Sequence, residues 1–158
     1  MRTFYLNTFP VGANPASLAF DGANVWVTNS GSNSVSKLRA GDGALLGTFA
    51  AGDGPAGIAY DGTVVWVANF FAGTVMRLRP SDGAIITTTQ VGDGPAGVAI
   101  ARGDAWVALT GKNRLAHLRG LDGALLDTQV VGHGPAAVAF DGDMIWVTNS
   151  GSQTVSRR

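Results

Sequence analysis

The residues best suited to chemistry in this chain are few, and they stand at repeating positions. Asp53, Asp93 and His133 fill one place in successive copies of a Gly-x-Gly-Pro corner, where the first copy has Ala13. Two carboxylates and an imidazole suit a divalent cation if the corners converge on one axis. Turn Asp is also common for a local reason, because its side chain accepts neighbouring backbone N–H groups. Phe70 and Phe71 replace the small polar pairs Ser30-Gly31, Thr110-Gly111 and Ser150-Gly151 of equivalent loops. Two adjacent loop aromatics suit an apolar contact patch for a partner or ligand. They equally suit packing against their own unit. His117 stands where other copies carry Lys37, Arg77 and Arg157, and reads as a surface variant. No serine is placed by local sequence against either histidine, so no catalytic residue and no cofactor is expected.

The elements behind these positions repeat every forty residues. Trp26, Trp66, Trp106 and Trp146 keep that period, as do Pro15, Pro55, Pro95 and Pro135. A fixed period near forty marks an array of units that bury their surfaces only against one another. The units are residues 12–51, 52–91, 92–131 and 132–158. The second contains four short apolar runs, AGIAY, VVWVAN, TVMRLR and AIITTT, split by Asp-Gly pairs and the NFFAG loop. Val, Ile, Thr and Trp favour strands, and Gly after Asp permits tight turns. Each unit therefore reads as a four-stranded antiparallel meander, with strands a, b, c and d in order. Strands a and b are apolar at nearly every position, which implies cover on both faces. The expectation is an all-β propeller of four-stranded blades, four per chain, over one domain spanning residues 1–158.

Bulk properties exclude several functions. The 158 residues carry eleven basic and eleven acidic side chains, so the formal charge is zero. Nucleic acid and anionic membranes are not expected partners, since both need concentrated basic surface. Every acidic residue is Asp, and 23 residues are Gly, a composition for turns and strands rather than helices. Cysteine is absent, which removes disulfides and thiolate metal sites and leaves the compartment open. The opening MRTFYLNTFPVG has no long apolar run after a basic residue, so no signal peptide is read. A fragment of a secreted parent would look the same.

The last unit reaches Arg158 after strand c, and Thr3–Gly12 aligns with the strand d segment Gly43–Gly52. The expectation is that Thr3–Phe9 pairs with Thr154–Arg157 and seals a ring, which removes open sheet edges. The ring closes either within one chain, with four blades, or between two chains, with eight. The two-chain homo-oligomer is the preferred reading, because units of this length usually build larger rings.

The shared core is Val/Ile-Trp-Val-Thr/Ala-Asn, then Ser-Gly-Ser, a basic strand, Asp-Gly-Ala and Gly-x-Gly-Pro-Ala. This pattern resembles the bacterial YVTN-type β-propeller repeat and the virginiamycin B lyase-like propellers over essentially the whole chain. The first resemblance implies a binding or surface module without chemistry of its own. The second implies a metal-dependent lyase or hydrolase using histidine and glutamate, and this chain has no Glu. The reading is therefore a non-enzymatic scaffold or binding module, with the metal-dependent enzyme as the alternative. Its contact face is the one bearing the d–a corners and b–c loops. Two further features read as scaffold. Arg39, Arg79 and Arg119 lie three residues before Asp42, Asp82 and Asp122, spacing for local ion pairs. Ala101-Arg102-Gly103, in place of Asp-Gly, reads as drift on the opposite rim.

Overall fold

Short β-favouring runs between Gly, Asp and Pro leave each segment only a sheet neighbour with which to satisfy its backbone. A computed structural model describes residues 7–158 and places fifteen strands there. The first blade holds β1 (Pro15–Phe20), β2 (Asn24–Asn29), β3 (Ser34–Arg39) and β4 (Leu45–Ala50). The second holds β5 (Pro55–Tyr60), β6 (Val65–Asn69), β7 (Thr74–Leu78) and β8 (Ile85–Gln90). The third holds β9 (Pro95–Ala101), β10 (Asp104–Leu109), β11 (Arg114–Leu118) and β12 (Leu125–Val130). The fourth holds β13 (Pro135–Phe140), β14 (Ile145–Asn149) and β15 (Thr154–Arg157). Within each sheet, neighbours in sequence are antiparallel neighbours in space. The architecture is the expected β-propeller type.

The innermost strands pack in order, β1 on β5, β5 on β9 and β9 on β13. Glycine permits that approach: a Cβ at Gly57 would lie 2.0 Å from the Ala96 carbonyl oxygen, and one at Gly97 2.4 Å from that of Ala136. The core is the set of layers between blades. Trp26 and Val35 of the first blade bury against Ile58, Val65, Val67 and Leu78 of the second. Trp66 and Val75 bury in the same way against Ala105, Val107 and Leu118 of the third.

Each Gly-x-Gly-Pro corner holds its blade's b–c loop by backbone bonds. Phe70 N–H donates to Gly54 O, Thr110 N–H to Gly94 O and Ser150 N–H to Gly134 O. The turn needs positive φ at its third position, 63° at Gly54 and 69° at Gly94. Asn14 meets the same demand at 50°, as Asn does more readily than other residues.

Among the described residues the arc has two open ends. On the first blade Leu18 is 67% exposed, and on the fourth Val155 is 58% exposed and Trp146 38%. The fourth sheet has three strands among the described residues. The expected pairing of Thr3–Phe9 with β15 falls largely on residues 1–6, which lie outside the described residues.

Candidate functional site

In three blades the tryptophan of strand b is locked by an aspartate five residues earlier. The indole N–H donates to Asp21 at 2.8 Å, to Asp61 at 2.7 Å and to Asp141 at 2.7 Å. The other oxygen of each carboxylate accepts backbone N–H groups of its turn, Ala23 and Asn24 in the first blade. Burial opposes ionisation of Asp21, but the Trp26 and backbone donors outweigh it and hold the carboxyl down at about 2. In Asp141 the Met144 N–H leads, followed by Trp146, with the same result of about 2.

The base on strand c completes this arrangement. Lys37 Nζ lies 5.0 Å from the Trp26 ring centre and donates to Pro80 O of the next blade at 2.7 Å. Arg77 lies 5.0 Å from the Trp66 ring and donates to Gly120 O at 2.8 Å. These clamps escaped the sequence reading, although the bases share the tryptophan period.

The third blade breaks the arrangement at several points together. Ala101 replaces the aspartate, and Arg102 and Gly103 form a two-residue turn with φ of 53° and 88°. Positive φ at both positions matches the twist of the strands it joins. Asp104 is thereby set at the start of β10, beside His117 of β11. His117 Nε2–H donates to Asp104 Oδ2 at 2.7 Å, and its Nδ1 lies 3.7 Å from Asp127 Oδ2. The imidazole stacks on Trp106 with ring centres 4.1 Å apart and planes within 5°. Asp104 Oδ1 also accepts the Gly120 N–H at 2.7 Å. Burial raises the Asp104 carboxyl, yet the Gly120 and His117 bonds prevail and keep it below its usual range. A cavity of about 420 Å³ opens here towards the fourth blade, floored by Trp106, His117 and Gln129 and walled by Phe140 and Ile145.

His117 is therefore not the surface variant expected from sequence. A side chain 19% exposed, stacked and flanked by two carboxylates is a built feature. Ala101-Arg102-Gly103 is likewise more than drift, since this turn delivers Asp104.

The other expected residues take plainer places. Asp53, Asp93 and His133 are exposed corner residues whose carbonyl oxygens accept N–H bonds from Phe71, Gly111 and Gly151. The His133 ring meets Asn113 at 3.0 Å. No three His or Asp side chains gather into a metal-holding group among the described residues. All three residues are exposed, and the His133 ring is held by Asn113. Phe70 and Phe71 divide the two roles offered to them. Phe70 is half-buried, its ring near Gly94 of the next corner, whereas Phe71 is 74% exposed and meets Phe70 edge-on at 5.3 Å. The Arg39–Asp42, Arg79–Asp82 and Arg119–Asp122 pairs form as the spacing predicts, at 2.8, 2.9 and 3.3 Å.

A second cavity, of about 490 Å³, lies on the open side of the first blade. Leu18, Val25, Val27 and Leu38 form its floor, and Phe9 stands at its edge. Phe9 packs against the turn at Gly43 as Phe49 packs against the turn at Gly83. Phe9 thus meets the first blade as Phe49 of β4 meets the second.

No family model matches the chain, and no curated protein matches it. Solved structures do. Hydrazine synthase of Kuenenia stuttgartiensis is 22% identical with a TM-score of 0.84, over 98% of this chain and 49% of that one. The computationally designed Ika4 protein is 14% identical with a TM-score of 0.84, over 100% of this chain and 98% of that one. Streptogramin B lyase is 16% identical with a TM-score of 0.77, over 94% of this chain and 56% of that one. The chain thus spans about half the length of two of these proteins and nearly all of the third. At such identities the likeness shows the propeller-type fold alone.

Proposed function

We propose that the chain is a non-enzymatic propeller module of the YVTN-type or virginiamycin B lyase-like pattern, whose first partner is a second copy of itself. Two four-blade arcs close one eight-bladed ring. The observation that carries this reading is the match between the open ends. Trp26 and Val35 bury on Ile58, Val65, Val67 and Leu78. Three repeats after Trp26 and Val35 stand Trp146 and Val155 at one end, and one repeat before the other four stand Leu18, Val25, Val27 and Leu38 at the other. The knob is exposed and the socket is open. A twofold axis pairs each knob with the other copy's socket, giving two equal seams and no free end. Phe9 supports the same reading, because it sits on the first blade where the strand d phenylalanine of a preceding blade would sit.

The binding reading is also supported at His117. Both ring nitrogens face carboxylates and one ring face is covered by Trp106, which suits a fixed wall better than a proton carrier. Phe71 marks the rim of b–c loops as the surface for a further protein or small-molecule ligand.

Light scattering on residues 1–158 tests the ring. The expected mass is twice 16.1 kDa at micromolar concentration. Trp146→Ala should weaken association about a hundredfold, the scale of a central aromatic anchor. A mass of 16.1 kDa at every concentration refutes the reading.

A further inference from the structure

The third-blade pocket stands where the closing strand of a second copy has to pass, and its chemistry is inverted relative to the other blades. In the second blade, Arg77 and Thr87 meet the turn of the next blade at Gly123. A Cβ there would lie 2.8 Å from Arg77 Cδ and 3.1 Å from Thr87 Oγ1. Thr89 Oγ1 donates to Gly123 O at 2.7 Å. Advancing one repeat turns Arg77, Thr87 and Thr89 into His117, Asp127 and Gln129. The turn residue equivalent to Gly123 is then Thr3, three repeats earlier in sequence.

The polarity is reversed at this seam. Lys37 and Arg77 are long cations reaching for backbone carbonyls. At 117 the cation is cut back to an imidazole. Carboxylates appear at 104, where other blades have Asn24, Val64 and Met144, and at 127, where they have Gly47 and Thr87. Two cations, Arg102 and Arg158, also line the pocket, and they and Arg119 are already engaged. Arg102 binds Asp143, Arg119 binds Asp122, and Arg158 donates to Val130 O. The segment due at this place carries Arg2 beside Thr3.

We infer that the pocket at Asp104 and His117, with Asp127 beside the imidazole at its edge, is the socket for the N-terminal segment of a second copy, the two carboxylates receiving the Arg2 guanidinium. This rests on the two-chain ring proposed above. It adds that the seam is held by charges of opposite sign to those of the in-chain clamps. The third blade is thereby matched to the closing strand rather than to a connected turn, and charge complementarity of this kind sets partner and register.

The chain has no cysteine, so engineered thiols report the contact cleanly. Thr3→Cys is placed in one preparation and Asp127→Cys in another, and the two are mixed and oxidised. The expected product is a covalent pair on a non-reducing gel that neither variant forms alone. Thr3→Cys mixed with Asp53→Cys is the control, expected to give no such pair. Absence of the pair in a sample whose light-scattering mass is dimeric overturns the socket and leaves the ring standing. A monomeric mass overturns the ring itself. A cross-link formed only within one chain, in the double variant, overturns the second copy as occupant. For the charges, Arg2→Glu should weaken association about fivefold, and Asp127→Lys in the same chain should restore it. Unchanged association in both overturns the role given to the carboxylates.

Discussion

Removing Trp66 gives the most direct measure of what holds one blade to the next. The indole is fully buried among Val64, Val75, Val98, Ile100 and Ala105, donates to Asp61 at 2.7 Å and lies under Arg77. Trp66→Ala leaves a cavity costing about 3–5 kcal/mol. The lost bond to an ionised carboxylate adds about 1 kcal/mol, because Asp61 keeps its bonds to Thr63 and Val64. Sums of this kind are not strictly additive, so the expected cost is about 4–6 kcal/mol. That is a large share of the roughly 5–15 kcal/mol by which domains are stable. For a chain of this size the melting temperature should fall by about 10–20 °C.

Urea and thermal unfolding followed by circular dichroism would measure it. Trp106→Ala is the internal comparison. That ring is half-buried, has Ala101 in place of its carboxylate, and stacks on His117. It should cost about half as much. At dilutions where the chain is monomeric, Trp146→Ala should cost least, because that ring faces solvent. A cost for Trp106→Ala equal to or above that for Trp66→Ala would refute the assignment of stability to the buried, carboxylate-locked indole. So would a fall of less than about 4 °C for Trp66→Ala.

Two other predictions test the inner strands and the carboxylates. Gly57→Ala places a methyl carbon 2.0 Å from the Ala96 carbonyl, backbone against backbone, and should cost about 3 kcal/mol, whereas Gly41→Ala meets nothing and should be neutral; equal unfolding midpoints would refute the close approach. Asp21 and Asp141 are held at about 2, against 3.8 for a free side chain, and Asp61 and Asp104 are also lowered. The unfolded chain therefore binds more protons as pH falls, so stability should be level above about pH 4 and drop between about 4 and 2. A melting temperature unchanged over that window would remove the carboxylate–indole bonds from the account.

The forty-residue period, the Asp-Gly turns and the doubly apolar strands were enough to read four propeller blades, because backbone pairing and burial demands are local and recur in every copy. The Arg-Asp pairs were legible for the same reason, at three residues' spacing. The Asp21–Trp26 lock lay within reach, since both residues keep the period at a spacing of five. Asp53, Asp93 and His133 hold equal positions in successive blades without gathering into one group, because equivalence in sequence is not proximity.

What the sequence by itself determined is the blade: its strands, its turns and its tryptophan. What only the tertiary structure decided is which exceptions matter. His117, Asp104 and Asp127 lie on three different strands, 13 and 10 residues apart, and look unrelated in sequence. Antiparallel pairing sets them side by side, and the two-residue turn at Arg102-Gly103 brings Asp104 into line. The open faces at Leu18 and Trp146 are likewise invisible in a repeat, where every copy has an apolar residue at the first position and Trp at the second. Only position in the arc distinguishes a tryptophan buried by the next blade, as Trp26 and Trp66 are, from the exposed Trp146.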